Sequence, residues 1–206
     1  MRQCTPSITG TTDLPASHRP SIREPRWFKP DAGHSPAPPL VLDWLQDVGS
    51  LTRRVQGACH GRFWVEVLRQ DRARPFASEV ALLSVRHSST ALIREVQLHC
   101  DQGSWVYART VIPMTSLRGS ARRLTLLGSR PLGAVLFADP SVTRMKMEFA
   151  RLLPGQVLFE AAVAGMTSRP QALWGRRTLF RLAGKPLLVN EIFLPALFGN
   201  ADETTS

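Results

Sequence analysis

The sequence has few cysteines and no long apolar run. Cys4, Cys59 and Cys100 are its three cysteines, and they show no CxxC or Cys/His ligand spacing. This scatter indicates neither a zinc site nor a disulfide framework, and a reduced compartment fits it best. No stretch approaches the roughly 18 to 20 apolar residues that span a bilayer, and the N-terminus has no run of the signal-peptide type. We therefore expect a cytoplasmic protein without a membrane span.

Several catalytic patterns are also missing. The sequence contains no GxSxG elbow, P-loop, HExxH or GxGxxG after a strand, and its five histidines show no metal-ligand spacing. The sequence patterns therefore indicate no metal site.

Lysine is scarce, although the formal net charge is +10 and the pI is near 11.1. Almost all of the positive charge is arginine, whose planar fork suits carboxylates and phosphates. The arginines recur along the chain rather than forming one block. The charge alone is compatible with a nucleic acid or with a small anionic substrate. Because the arginines do not form one block, we expect no nucleic-acid partner.

Prolines divide the chain into an extension and one domain. Residues 1–39 carry eight prolines among small polar residues, which predicts a disordered extension, although Trp27 and Phe28 could dock on the domain. Residues 40–206 form the predicted domain. Within it, residues 154–172 predict a mobile insertion with one or two helical turns.

Two hairpins predict the fold class. Residues 91–99 and 105–112 form strand-like runs joined by a turn, and residues 177–182 and 186–194 form a second pair. Short helices are predicted near Leu40–Leu45, after Ser50 and after Pro131, whereas residues 142–152 fit a helix or a strand. Together these elements predict an α+β domain with a mostly antiparallel sheet and interspersed helices.

Two charged residues fall on apolar strand faces. Arg94 shares a strand face with Leu92, Val96 and Leu98, and Glu191 shares one with Val189. A buried guanidinium needs an anion. A structural Arg94–Glu191 salt bridge and a ligand-binding role both satisfy the pattern.

Several blocks, in order over residues 40 to about 198, resemble the chorismate pyruvate-lyase family of ubiquinone biosynthesis. They include residues 42–45, 50–54, 93–96, 105–113, 131–137, 173–177 and 183–195. The resemblance implies a single antiparallel sheet with helical flaps over a buried site, and cofactor-free conversion of chorismate to 4-hydroxybenzoate and pyruvate. It further implies a monomer.

The resemblance also assigns site residues. It implies that Arg94 binds the ring carboxylate, assisted by the backbone N–H groups of Leu51 and Leu132, and that Glu191 meets the 4-hydroxyl. Arg109 and Arg177 are candidates for the leaving carboxylate. Three alternatives stay open: a non-catalytic small-molecule-binding module of the same fold, a basic nucleic-acid-binding protein, and a lyase-like protein inactivated by the insertion.

Overall fold

The computed structural model describes residues 23–30, 37–101 and 103–199. Five helices and six strands follow one another along the chain. They are α1 (Pro39–Gln46), α2 (Leu51–Ala58), β1 (Trp64–Ala73), α3 (Ala77–Leu83), β2 (Ala91–Cys100), β3 (Gly103–Pro113), α4 (Leu132–Leu136), β4 (Val142–Leu152), α5 (Val157–Ala162), β5 (Leu173–Leu182) and β6 (Lys185–Phe193). Short 3-10 helices lie at Met114–Ser116, Gly119–Leu126 and Pro195–Phe198.

The six strands form one antiparallel sheet in the order β1-β2-β3-β6-β5-β4. The two predicted hairpins, β2–β3 and β5–β6, meet through the β3–β6 pairing at the centre. The predicted α+β class with a single antiparallel sheet is therefore confirmed. Residues 142–152, which fitted either structure, form strand β4.

Side chains alternate between the two faces of this sheet, and both faces are covered. On one face, α1 and α2 pack through the fully buried Leu45 and Val55 against strand residues such as Val96 and Phe193. Ser50 caps α2 by accepting a hydrogen bond from the Arg53 N–H. The helix therefore begins where the sequence predicts it.

The chain just before α1 pairs with the edge strand β4 through Phe28 and covers part of the opposite face through Trp27. Phe28 exchanges two backbone hydrogen bonds of 2.8 Å with Phe149 of β4, and the Arg177 guanidinium lies 4.7 Å from the Trp27 ring centre. Residues 23–30 are thus docked on the sheet, unlike the disordered extension predicted for residues 1–39. Trp27 and Phe28 supply the apolar area that holds this segment on the sheet, although the proline content of the extension suggested disorder. Residues 1–22 and 31–36 lie outside the described residues.

Helix α5 lies within residues 154–172, on the same opposite face. Leu158, Phe159, Ala162 and Val163 are buried there against β-strand side chains such as Ile192. The helix has the predicted length of one to two turns. The mobility of the segment stays a prediction, although four buried side chains attach the segment to the sheet.

Cys59 and Cys100 form a disulfide, so the expectation that no disulfide is present is wrong for this pair. Their separation of 41 residues carries no spacing signal, and only the fold brings the end of α2 beside the end of β2. Cys4 lies outside the described residues. No helix within the described residues combines the length and apolarity needed to cross a bilayer.

Candidate active site

A cavity lies between the sheet and the helices α2 and α4. The space in the cavity and at its mouth that protein atoms do not occupy is about 670 Å³, including the open solvent at the mouth. Most of its wall is apolar, and its charged members are Arg94, Arg144, Arg176 and Glu191. The four residues predicted from the sequence, Leu51, Arg94, Leu132 and Glu191, all line it. Their catalytic and binding roles stay predictions.

Arg94 projects into the cavity from β2 and is 3% exposed. Its Nη1 donates to the Gln70 side-chain oxygen at 2.9 Å, and its Nη2 donates to the carbonyl of Arg130 at 3.3 Å. Burial lowers the pKa of this guanidinium. Because Arg94 forms no ion pair with any described residue, its charge is left for an anion.

Glu191 pairs with Arg176, which lies opposite it on β5. Arg176 Nε donates to Glu191 Oε2 at 2.6 Å. The alternative of a structural Arg94–Glu191 salt bridge is therefore wrong. The Nη1 of Arg176 donates to the carbonyls of Trp44, Leu45 and Asp47 at the end of α1, so one buried guanidinium holds both the helix and the carboxylate.

Arg144 reaches the cavity from the edge strand β4. Its Nη1 and Nη2 donate to the carbonyls of Val48 and Gly49, in the loop that joins α1 to α2. Burial, followed by the like charge of Arg176, lowers the Arg144 pKa. The sequence patterns missed Arg144 and Arg176. Extending the period-two pattern of β5 back to Leu173 would have placed Arg176 beside Thr178 and Phe180.

Leu51 and Leu132 are the first residues of α2 and α4. The N–H groups in the first turn of a helix have no partner within that helix, so they are available to an anion. The two helix starts are close together: a Cβ added to Gly133 would lie 3.1 Å from Ser50 Oγ and 3.2 Å from Thr52 Oγ1. A side chain at position 133 would therefore crowd the start of α2, and glycine avoids that contact.

Arg109 and Arg177, predicted for the leaving carboxylate, do not reach this cavity. They lie on the opposite face of the sheet because each is one residue out of phase with the cavity residues. Arg109 pairs with Glu79 and Glu95, and Arg177 pairs with Glu148. Burial alone would lower the pKa of Arg109, but the hydrogen bonds and charges of Glu79 and Glu95 together raise it. Burial lowers the pKa of Arg177.

No group of three or more His, Cys, Asp or Glu within the described parts of the chain is arranged to hold a metal ion. The cavity offers guanidinium groups, a carboxylate, helix starts and apolar walls. These groups can bind a small anionic molecule, orient it and exclude water. Fold and cavity together define an α+β protein with an arginine-rich cavity whose groups are suited to a small anion.

The chain belongs to the chorismate lyase family, whose model matches residues 22–203, and it is an enzyme of the lyase class. The match begins well before residue 40, so the docked residues 23–30 are part of the family domain.

Named relatives agree with the family model. A probable chorismate pyruvate-lyase of Methylococcus capsulatus is 44% identical over 75% of this chain and 94% of its own length. One of Nitrosomonas europaea is 40% identical over 82% of this chain and 96% of its own length.

Solved structures share the fold at low identity. PhnF from Mycobacterium smegmatis matches with a TM-score of 0.53 and 13% identity, over 73% of this chain and 65% of that one. The C-terminal domain of the histidine utilization repressor from Pseudomonas syringae matches with a TM-score of 0.50 and 8% identity, over 66% of this chain and 93% of that one.

Proposed function

We propose that this protein converts chorismate to 4-hydroxybenzoate and pyruvate without a cofactor, as the first step of ubiquinone biosynthesis. The main support for this proposal is that Arg94 and Glu191 line the same cavity from strands two positions apart in the sheet. Two strand spacings are about 10 Å, a distance that two side chains and a six-membered ring can fill. The family membership supports the same substrate.

Arg94 binds the ring carboxylate in this proposal. A planar guanidinium presents paired donors to a carboxylate, and hydrogen bonds to charged groups contribute about 1.5–3 kcal/mol each. The backbone N–H groups of Leu51 and Leu132 complete the carboxylate site. Glu191 contacts the 4-hydroxyl through a carboxylate that Arg176 holds in place.

The reaction breaks the C3–O bond to the enolpyruvyl group and the C4–H bond, and the ring becomes aromatic. The enolpyruvyl fragment gains a proton at its methylene carbon and leaves as pyruvate, so no oxidant or reductant is needed. The C4 proton moves either through Glu191 or directly to the methylene carbon. The cavity contributes by selecting the reactive conformer, excluding water and stabilising the departing anion.

The first prediction concerns turnover and Arg94. The purified protein with chorismate and EDTA should release equal amounts of 4-hydroxybenzoate and pyruvate, measured together. The Arg94→Ala variant should lose this activity because nothing then anchors the ring carboxylate, while its circular dichroism spectrum stays that of the unaltered protein. Arg151→Gln, an exposed change on β4, is the matched control.

Near-normal turnover by Arg94→Ala would reject the assignment of this residue. Binding of 4-hydroxybenzoate without any turnover of chorismate would instead favour the alternative, a non-catalytic binding module of the same fold. We also propose a monomer in the cytoplasm with no nucleic-acid partner, which sedimentation and nucleic-acid binding at low salt would test.

A further inference from the structure

The cavity holds more positive charge than its own residues neutralise. Three arginines and one glutamate line it. Arg176 and Glu191 form an ion pair, whereas Arg94 and Arg144 form none with any residue that the structure describes. The buried Arg94 and the half-buried Arg144 thus have no ion pair of their own at the cavity, and removing such groups from water is costly unless an anion meets them.

Arg144 is built to accept one more partner. Its Nη groups are engaged with the Val48 and Gly49 carbonyls, but its Nε is buried without a hydrogen-bond acceptor among the described atoms. The guanidinium carbon lies 5.9 Å from the Phe137 ring centre and 5.4 Å from that of Phe180. These rings hold the side chain beside the cavity and leave its charge to an anion.

The order of the strands puts the charged residues in a sequence across the sheet. Arg94 is on β2, Glu191 is two strands further on β6, and Arg144 is two strands beyond that on β4. Chorismate has its ring carboxylate on C1, its hydroxyl on C4 and its enolpyruvyl ether on the neighbouring C3. A ring carboxylate at Arg94 and a hydroxyl at Glu191 therefore leave the enolpyruvyl group at the β4 side.

We infer that Arg144 binds the enolpyruvyl carboxylate and is a second carboxylate receptor of the site, which deepens and rests on the proposed function. The two cations without an ion pair then meet the two carboxylates of one dianionic substrate. When the C3–O bond breaks, the carboxylate of the departing enolpyruvate stays at Arg144, where a positive charge stabilises the anion that leaves. The product 4-hydroxybenzoate, with one carboxylate, does not use Arg144.

The test compares a ligand that has the second carboxylate with one that lacks it. Arg144→Gln should lower kcat/KM for chorismate by about 10- to 150-fold, the loss expected for one charge-assisted hydrogen bond. The same variant should change the Kd of 4-hydroxybenzoate by less than about threefold. Arg144→Lys should recover part of kcat/KM because it restores the charge.

Two other variants define the comparison. Arg94→Gln should weaken both chorismate turnover and 4-hydroxybenzoate binding, whereas Arg151→Gln should change neither. Equal loss of both in Arg144→Gln would overturn the inference, because Arg144 would then only hold the Val48–Gly49 loop in place. Unchanged chorismate turnover in Arg144→Gln would also overturn it. Absence of turnover in the unaltered protein would reject the proposed function and this inference together.

Discussion

At the scale of single residues, Arg176 both binds the end of α1 and positions the Glu191 carboxylate. Its Nη1 donates to three carbonyls at the C-terminal end of α1, where a positive charge is favourable. Its Nε positions the Glu191 carboxylate through Oε2. One side chain therefore links the end of α1 to the Glu191 carboxylate, and a change at Glu191 also affects its buried partner.

Glu191→Gln tests what this carboxylate does. We expect kcat to fall by at least about tenfold, since the amide keeps one oxygen but loses the charge-assisted hydrogen bonds. A loss of about 10²–10⁴ with 4-hydroxybenzoate binding retained would indicate proton transfer through Glu191, because that is the usual contribution of general acid–base catalysis. A loss near tenfold would indicate positioning only. Stopped-flow or steady-state kinetics on chorismate distinguishes the two.

The control for this variant is its stability. Removing the charge leaves Arg176 buried without its ion pair, so urea denaturation must show that the variant is folded under the assay conditions. An unchanged kcat in a folded variant would contradict any role for Glu191 in the reaction.

Sequence periodicity could find Arg94 and Glu191 because each sits in the middle of a strand whose bounds are clear. The same period-two pattern did not find the other two arginines of the cavity, Arg144 and Arg176. The predicted strand near residue 177 lacks the first residues of β5, so Arg176 received no face, and residues 142–152 had no assigned structure from which to orient Arg144. A shift of one residue changes the face, which is why Arg109 and Arg177 lie on the other side.

At the scale of secondary structure, the hairpins are more predictable than the pieces that cover the sheet. Turn residues mark β2–β3 and β5–β6 locally. Helix α3 has a local start, where the Phe76 N–H donates to the Glu79 carboxylate at 2.9 Å, but Glu79 is also buried against Arg109 and Asn190. The position of α3 therefore depends on contacts with strands that are distant in the sequence, and such contacts leave no periodic signal.

The packing of helix α5 on the sheet can be tested through protein stability. Phe159 is fully buried between α5 and the sheet, so Phe159→Ala should lower the free energy of unfolding by about 3–5 kcal/mol through lost burial and the cavity it leaves. Urea denaturation followed by tryptophan fluorescence measures this change. Leu126→Ala, at a position that is 77% exposed, is the control and should change it by less than about 0.5 kcal/mol.

A Phe159→Ala effect as small as that of Leu126→Ala would mean that α5 does not stay packed in solution. Residues 154–172 would then behave as the mobile insertion that their prolines and glycines predict.

At the scale of the whole molecule, part of the large positive charge is inside. Arg94, Arg109, Arg176 and Arg177 are all buried, at 2–6% exposure. Two of them line the cavity and two form ion pairs on the other face of the sheet. Composition alone cannot separate this arrangement from a basic surface for nucleic acid, because it records the number of arginines and not the direction in which the fold points them.

The disulfide connects two parts of the molecule that build the cavity. Cys59 follows α2, whose first residue Leu51 lines the cavity, and Cys100 ends β2, which carries Arg94. Closing a loop of 41 residues restricts the unfolded chain, and the chain-entropy relation gives about 4 kcal/mol for a loop of this length. Its effect should therefore be on stability more than on the chemistry of the site.

Removing the cross-link is the last test. The double variant Cys59→Ser/Cys100→Ser should lose about 2–4 kcal/mol in the free energy of unfolding, while its kcat/KM for chorismate at a temperature well below its Tm stays within about threefold of the unaltered protein. Cys4→Ser is the control for thiol loss alone. Thiol titration of the unfolded, unreduced protein should find one free cysteine. Three free thiols, together with equal stability of the double variant, would show that the pair is reduced, as the cysteine pattern predicts for a protein that works in a reducing compartment.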